Sequence, residues 1–213
     1  MKNTKKNIVV IVAHPDDETL WCGGTMLMHP NHNWFVVCLC RKNDRDRAPK
    51  FKAAVSIYNA IGVMGNLNDS PEQLPLAQEA IKKAILKLLP RENFDLMLTH
   101  SPNREYTRHP RHEEIGSAVL ALWNDKKIFA KELWTFAYED GNKAYYPQAI
   151  KEANTHQILS QKIWEEKYRI ITEVYGFEKN GFEAKTTPKT EAFWKFKDPI
   201  DAQKWLEREG TEP

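Results

Sequence analysis

The chain of 213 residues is 41% apolar and 28% charged, with 31 basic against 29 acidic side chains and a formal net charge of +2. That length can bury roughly 70% of the unfolded surface, so a core forms without staples, and the balanced charge gives no electrostatic reason for a nucleic acid or an anionic membrane as partner. The longest uninterrupted apolar stretch, Ile8 to Ala13, falls far short of the ~18 residues a membrane span needs, and the basic start lacks a signal-peptide apolar segment of useful length. These features predict a cytoplasmic protein without a membrane span whose partner is a small molecule. Cys22, Cys38 and Cys40 cannot all pair and show no C-x-x-C spacing, so they read as reduced, buried thiols rather than a disulfide framework or a thiolate zinc site.

In chain order, Asn7 to Ala13 (NIVVIVA) and Trp34 to Cys40 (WFVVCLC) are continuous β-branched runs, the pattern of strands covered on both faces. Phe51, Ala54, Val55, Tyr58 and Ile61 recur at helical spacing, with Gly62 where a C-cap would stand. Ala77, Ile81, Ala84, Ile85 and Leu88 repeat that spacing up to Pro90. Asp95 to His100 (DLMLTH) predicts a third strand, Ile115, Ala118, Val119 and Leu122 a third helix, and Glu132 to Tyr138 (ELWTFAY) a fourth strand. Leu159, Ile163, Ile170, Ile171 and Val174 mark a longer helix before Gly176. From Glu178 onward the chain is polar, with Phe182, Phe193, Trp194 and Phe196 spaced along it as anchors, so residues 178–213 read as a tail wrapping the body. Alternating strands and helices define an α/β chain with a mostly parallel sheet and helices on both faces, whose ligand site lies outside the carboxyl ends of the strands.

Two polar clusters fall at such ends. His14-Pro15-Asp16-Asp17-Glu18 follows the first strand, and a loop from Ser101 to His109-Pro110-Arg111-His112 follows the third. Pro and acids are favoured at a helix N-terminus in any case, and two histidines three apart in a polar loop are commonly just solvated. Together, however, they supply imidazole and carboxylate, the donors zinc takes when thiolates are absent. Two histidines and one carboxylate leave a position for water, whose pKa falls toward ~7, and a second carboxylate can then serve as base. Asp16 and Asp17 can divide those two roles, and spacing alone does not say which takes which. Arg41, Lys42, Arg45 and Arg47 follow the second strand, where they form either a solvated charge run or a contact for an acidic substrate group. Trp21 can offer a flat wall to a sugar ring, although core packing explains it better. Gly23-Gly24 lacks the context of a dinucleotide loop.

Ala13-His14-Pro15-Asp16-Asp17-Glu18 followed by Gly23-Gly24-Thr25, then Thr99-His100-Ser101-Pro102 leading to His109-x-x-His112, resembles the LmbE-like, or PIG-L-type, N-deacetylases over residues 8 to about 120. The resemblance implies a Rossmann-like fold, a single domain over 1–213, and zinc-dependent hydrolysis of an N-acyl group, commonly acetyl on an amino sugar. Residue by residue it implies that His14, Asp17 and His112 bind Zn2+ or another divalent ion, that Asp16 is the general base, and that His109 stabilises the oxyanion or protonates the leaving amine. Several members carry a tyrosine two positions before the residue matching His109, where it helps polarise the carbonyl; here Tyr106 stands three positions before. Many members have an acid where this chain has Arg111, a permanent cation that disfavours imidazolium and makes His109 a poorer proton donor. Tyr106, Arg111 and Arg41 are thus the candidate substrate contacts. Family members are often homo-oligomers, so the resemblance extends to that expectation. The alternatives are an amidase of a larger sugar or thiol conjugate and a non-catalytic sugar-binding module, the latter having no need of Asp16.

Overall fold

Side chains along β1 (Asn7–Val12) alternate between two apolar layers: Ile8, Val10 and Val12 enter one, Val9 and Ile11 the other. A strand buried on both faces has no polar side, which is why it reads as an unbroken apolar run. The first layer is closed by Leu20, Trp21 and Met26 of α1 (Asp17–Met28) and by Phe51 and Val55 of α2 (Arg47–Ile57). The second is closed by Ile81 and Ile85 of α3 (Gln78–Leu88), by Ile115, Val119 and Leu122 of α4 (Pro110–Asn124), and by Ala202 of α7 (Pro199–Glu209). Each such fully buried aliphatic chain contributes about 1.5–3 kcal/mol, and both layers are fastened to β1.

The computed structural model describes residues 4–103, 105–106 and 109–209. Among these, β1 joins β2 (Asn33–Cys40), β3 (Ile61–Leu67), β4 (Leu96–Thr99), β5 (Leu133–Phe136), β6 (Thr155–Ile158) and β7 (Thr190–Phe196) in a seven-stranded sheet of order β6-β7-β5-β4-β1-β2-β3. The pairs from β5 to β3 are parallel, and β7 is antiparallel to both β5 and β6. The fold is therefore the mixed α/β architecture with a mostly parallel sheet that the alternation predicts. Because the chain runs β1-β2-β3 to one side and then returns to place β4 on the other side of β1, the order reverses between β1 and β4. A crevice opens outside the carboxyl ends at that reversal. Two short ribbons, Asn93–Phe94 with Phe129–Ala130 and Tyr138–Glu139 with Gln148–Ala149, flank the sheet. No helix among the described residues is long and apolar enough to cross a membrane.

The structure departs from the expectations in two places. The helix expected to reach Gly62 ends at Ile57, since Asn59 takes a left-handed φ of 53°, and Ile61–Leu67 is an edge strand instead. The stretch from Glu178 does more than wrap the body: Thr190–Phe196 lies within the sheet between β5 and β6, while residues 210–213 of that stretch, like 1–3, lie outside the described residues. Glu191 on β7 explains both the polar look of the segment and its location. Its carboxylate accepts hydrogen bonds from the Gly24 and Thr25 amides (2.7 Å each), from Thr25 Oγ1 (2.6 Å) and from Lys167 Nζ (2.7 Å) on α5 (Gln161–Arg169). Gly24 permits this approach, because a Cβ there would stand 2.4 Å from Leu159 Cδ1 and 3.0 Å from Glu191 Oε1. α5 continues as a π-helical turn, Ile170–Val174, and Gly176 reverses the chain at φ +74°.

Lys167 and Glu191 are both fully buried, and removing one partner leaves an uncompensated charge in the core, a loss of about 3–5 kcal/mol. Lys167→Ala is expected to lower the unfolding free energy by that amount in urea titrations. Lys131→Ala, which removes an exposed pair with Asp95, is expected to change it by less than about 1 kcal/mol.

Candidate metal and substrate site

After β1 the chain turns through Ala13-His14-Pro15 into α1, and after β4 it passes His100 and a loop into α4, so the polar clusters meet at the reversal of strand order. Asp16, the residue before α1, has φ 122° and ψ −30°, a region that a side chain with a Cβ enters at a cost of about 1–3 kcal/mol. Its backbone is held there by neighbours. The amide donates to Glu18 Oε2 (3.1 Å) and the carbonyl accepts from Thr19 (2.9 Å) and Leu20 (2.8 Å). Glu18 is itself buried, accepting from Thr19 Oγ1 and from the Tyr175 hydroxyl at 2.6 Å each.

Three donor atoms converge beside it. His14 Nδ1 lies 3.2 Å from His112 Nε2 and 3.4 Å from Asp17 Oδ2, and His112 Nε2 lies 3.5 Å from the same oxygen. Ligands at ~2.0–2.2 Å on one tetrahedral ion stand roughly 3.3–3.6 Å from each other, so this spacing fits a divalent cation. Electrostatics agree with the geometry. Burial opposes charge on His14, but Asp17 and Asp69 outweigh it and raise its pKa to about 10, so the site favours positive charge. Asp17 is aimed by the His14 amide at Oδ2 (2.8 Å) and the Trp21 indole N–H at Oδ1 (3.3 Å).

His100 also lies 3.3 Å from Asp17 Oδ2 and belongs with Asp17 and His112 to a second grouping of ligand atoms. Its Nε2, however, accepts the Ala13 amide at 3.0 Å and its Nδ1 faces Glu105 Oε2 at 2.7 Å. Both nitrogens are committed, and the Ala13 amide occupies the lone pair an ion would need. His109 completes a third grouping with His14 and His112. It stacks on His112 with ring centroids 4.3 Å apart, and its Nδ1 is buried without a hydrogen-bond partner among the described residues. Burial, then the charges of His112 and His14, push its pKa down to about 3, leaving a neutral imidazole. Asp16 moves the other way: burial and the adjacent Asp17 carboxylate hold its carboxyl well above the usual range.

A cavity of about 300 Å³ opens over these groups, lined among others by His14, Asp16, Asp17, His109, Tyr106 and Phe182. Of the basic run, Arg41 and Arg47 reach the lining and Lys42 and Arg45 do not. Arg41 is paired with Asp69 through Nε (2.9 Å) and Nη2 (2.6 Å), and Arg47 lies over the Phe177 ring at 4.3 Å with Nη1 3.8 Å from Asp16. Tyr106 packs on Trp21, which is fully buried and so belongs to the core rather than to a sugar-facing wall. Arg111 is not brought to the cavity: its guanidinium pairs with Glu114 and donates to the Leu74 carbonyl at 3.1 Å, so the expected substrate contact is replaced by a buried tie between α4 and the loop after β3. Sequence reasoning missed Asp69, Glu105 and the anchoring part of Glu18. His100 and Glu18 stood in the quoted motifs without a role, whereas Asp69 carried no local signal.

An α/β sheet with imidazoles and carboxylates gathered at its strand reversal defines a ligand-binding class before any family is considered. Residues 9–123, more than half of the chain, match the family described as PIG-L: GlcNAc-PI de-N-acetylase, and the chain belongs to it. It is 22% identical over 183 residues to the uncharacterized protein L374 of Acanthamoeba polyphaga mimivirus, covering 78% of this chain and 77% of that protein. The fold is shared with N,N'-diacetylchitobiose deacetylase from Pyrococcus horikoshii, solved with its inhibitor MPG (TM-score 0.67, 17% identity, 90% of this chain and 84% of that one). It is shared too with Dbv21, the deacetylase of A40926 pseudoaglycone (TM-score 0.58, 16% identity, 91% and 98%).

The position of His112 depends on how closely α4 approaches the end of β4. A Cβ on Gly116 would stand 2.6 Å from the His100 carbonyl oxygen and 2.8 Å from Pro102 N, both backbone atoms that cannot swing away. Gly116→Ala is expected to cost about 1–3 kcal/mol by overpacking, read as a lower urea midpoint, and to weaken divalent-metal retention in dialysis because α4 carries His112.

Proposed function

We propose that this protein is a divalent-metal-dependent hydrolase that removes an N-acyl group, acetyl first of all, from an amino-sugar-type small molecule. The observation that carries the reading is the convergence of His14 Nδ1, Asp17 Oδ2 and His112 Nε2 within 3.2–3.5 Å of one another, beside a carboxylate, Asp16, that is not one of them. Family membership supports the same chemistry. In this reading His14, Asp17 and His112 hold the ion, with Zn2+ the choice that best suits two imidazoles and a carboxylate. When bound, it polarises the amide carbonyl and makes water a stronger acid.

The remaining chemistry belongs to the chain. Asp16 removes the proton of the attacking water, and burial beside Asp17 makes it a stronger base than an ordinary carboxylate. Oxygen then bonds to the carbonyl carbon and the C–N bond breaks. His109, neutral and without a partner at Nδ1 among the described residues, fits a hydrogen-bond donor to the developing oxyanion better than a proton carrier. The proton gathered on Asp16 is the one at hand for the departing nitrogen. On the substrate side the cavity is at the small end of ligand pockets (~300–1,000 Å³), and Tyr106 and Phe182, with ring centroids 6.2 Å apart, offer faces to a sugar ring.

The test is release of primary amine from a panel of N-acetylated sugars and sugar conjugates by chelator-stripped protein, with and without added zinc. Zinc-dependent release is expected, and no release from any member of the panel would contradict the reading. Asp16→Asn is expected to keep its metal and lose about 10²–10⁴-fold in turnover, since Asn matches Asp in size but cannot take up the proton of the attacking water. His112→Ala is expected to lose metal in the same dialysis assay. Normal turnover by Asp16→Asn would remove Asp16 as the base.

A further inference from the structure

We infer that Asp69, clamped by Arg41, is the residue that positions His14 and selects which of its nitrogens faces the metal site; this rests on the proposal that His14, Asp17 and His112 hold the ion. Asp69 follows β3 in the loop that leads toward α3, and its side chain is only 5% exposed. Oδ1 lies 3.0 Å from His14 Nε2 and also accepts from Gln73 Nε2 at 3.0 Å. Oδ2 accepts from Arg41 Nε at 2.9 Å and Arg41 Nη2 at 2.6 Å.

A neutral imidazole donates from one nitrogen and offers a lone pair on the other. In the neutral ring that a metal requires, Nε2–H committed to Asp69 leaves the lone pair on Nδ1, and Nδ1 is the atom that faces His112 Nε2 and Asp17 Oδ2. Asp69 stands behind the ring, on the side away from those two atoms, so it acts through His14 rather than as a further ligand. Without it, nothing holds the proton on Nε2, and the tautomer protonated on Nδ1 turns an N–H toward the ion.

Arg41 makes the arrangement rigid. Its backbone has φ 62°, the left-handed region, directly after β2, and the Lys42 amide donates to the Gly65 carbonyl on β3 at 2.9 Å. This turn sends the guanidinium across the β2–β3 edge, where two of its N–H groups meet one oxygen of Asp69. A held carboxylate behind a metal-binding histidine fixes the ring and raises its basicity, and losing such a partner weakens metal affinity by about 10–100-fold. The cation that the sequence offers to an acidic substrate group is thus spent on a carboxylate of the protein itself.

The experiment is zinc affinity by competition with a chromophoric chelator, on the full chain, for wild type, Asp69→Ala, Asp69→Asn and Arg41→Ala. It is joined by 1H–15N NMR of the His14 imidazole in the zinc-loaded proteins, with urea midpoints establishing that each is folded. Asp69→Ala is expected to bind about 10–100-fold more weakly and to lose the downfield, slowly exchanging Nε2–H signal of the His14–Asp69 hydrogen bond. Asp69→Asn, which keeps an acceptor oxygen, is expected to restore part of the affinity. Arg41→Ala, at a side chain 42% exposed and so tolerant of replacement, is expected to weaken binding in the same direction and serves in place of Asp69→Ala should that variant not fold. Wild-type affinity and an unchanged imidazole spectrum in the folded variants would overturn the positioning role alone. Absence of zinc binding by the wild type would overturn the metal reading beneath it.

Discussion

The carboxylate of Asp17, 5% exposed at the end of β1, sets the terms for everything around it. An ionised carboxylate removed from water is costly by several kcal/mol unless charges and donors replace its hydration. Here the replacements come from both sides of the strand reversal: the His14 amide and Trp21 indole from β1 and α1, and His112 from α4. Satisfying Asp17 therefore brings both sides of the strand reversal to one point. The same demand collects two imidazole nitrogens around one oxygen at the spacing of ligands on an ion. Burial alone would hold Asp17 protonated, but the charge of His112 outweighs it and keeps its carboxyl well below the usual range.

Outside that point, further buried carboxylates each lock one element in place. Glu18 ties the strained Asp16 backbone to Tyr175, Glu105 commits His100, and Glu191 fastens α1 to α5 and β7. The last of these explains why a site written in the first half of the chain needs the second half. Tyr175 and Glu191 come from the C-terminal part and hold the helix that begins with Asp17. Such networks stabilise only when every member is satisfied. Asp16 and His109 instead face the cavity where substrate would meet them.

Much of this was legible beforehand, for identifiable reasons. β1, β2, β4 and β5 are buried on both faces, so their apolar runs are continuous, and the rule that parallel sheets bind ligands at strand carboxyl ends pointed to His14, Asp16, Asp17, His109 and His112 together. β3 was not legible because two of its residues, Gly62 and Gly65, are glycines and its apolar residues also fit the helical spacing that precedes it. β7 was hidden by Glu191, whose charge marks the segment as surface until Lys167 is found opposite it. Asp69 is a single acid in a polar loop, and its meaning comes wholly from His14, which is 55 residues away. Arg111 illustrates the reverse case: a cation near a site suggests a substrate anion, yet Glu114 already answers it, whereas Arg41 lines the cavity while paired with Asp69.

The central claim is that one divalent ion is held by His14, Asp17 and His112 rather than by either neighbouring group of histidines. The measurement that tests it most directly is anomalous diffraction at the zinc edge from crystals grown with stoichiometric zinc. The account predicts a peak about 2.0–2.2 Å from His14 Nδ1, Asp17 Oδ2 and His112 Nε2, with His100 Nε2 still on the Ala13 amide. A peak ligated by His100 in place of His14, or no peak at the end of β1, would contradict it.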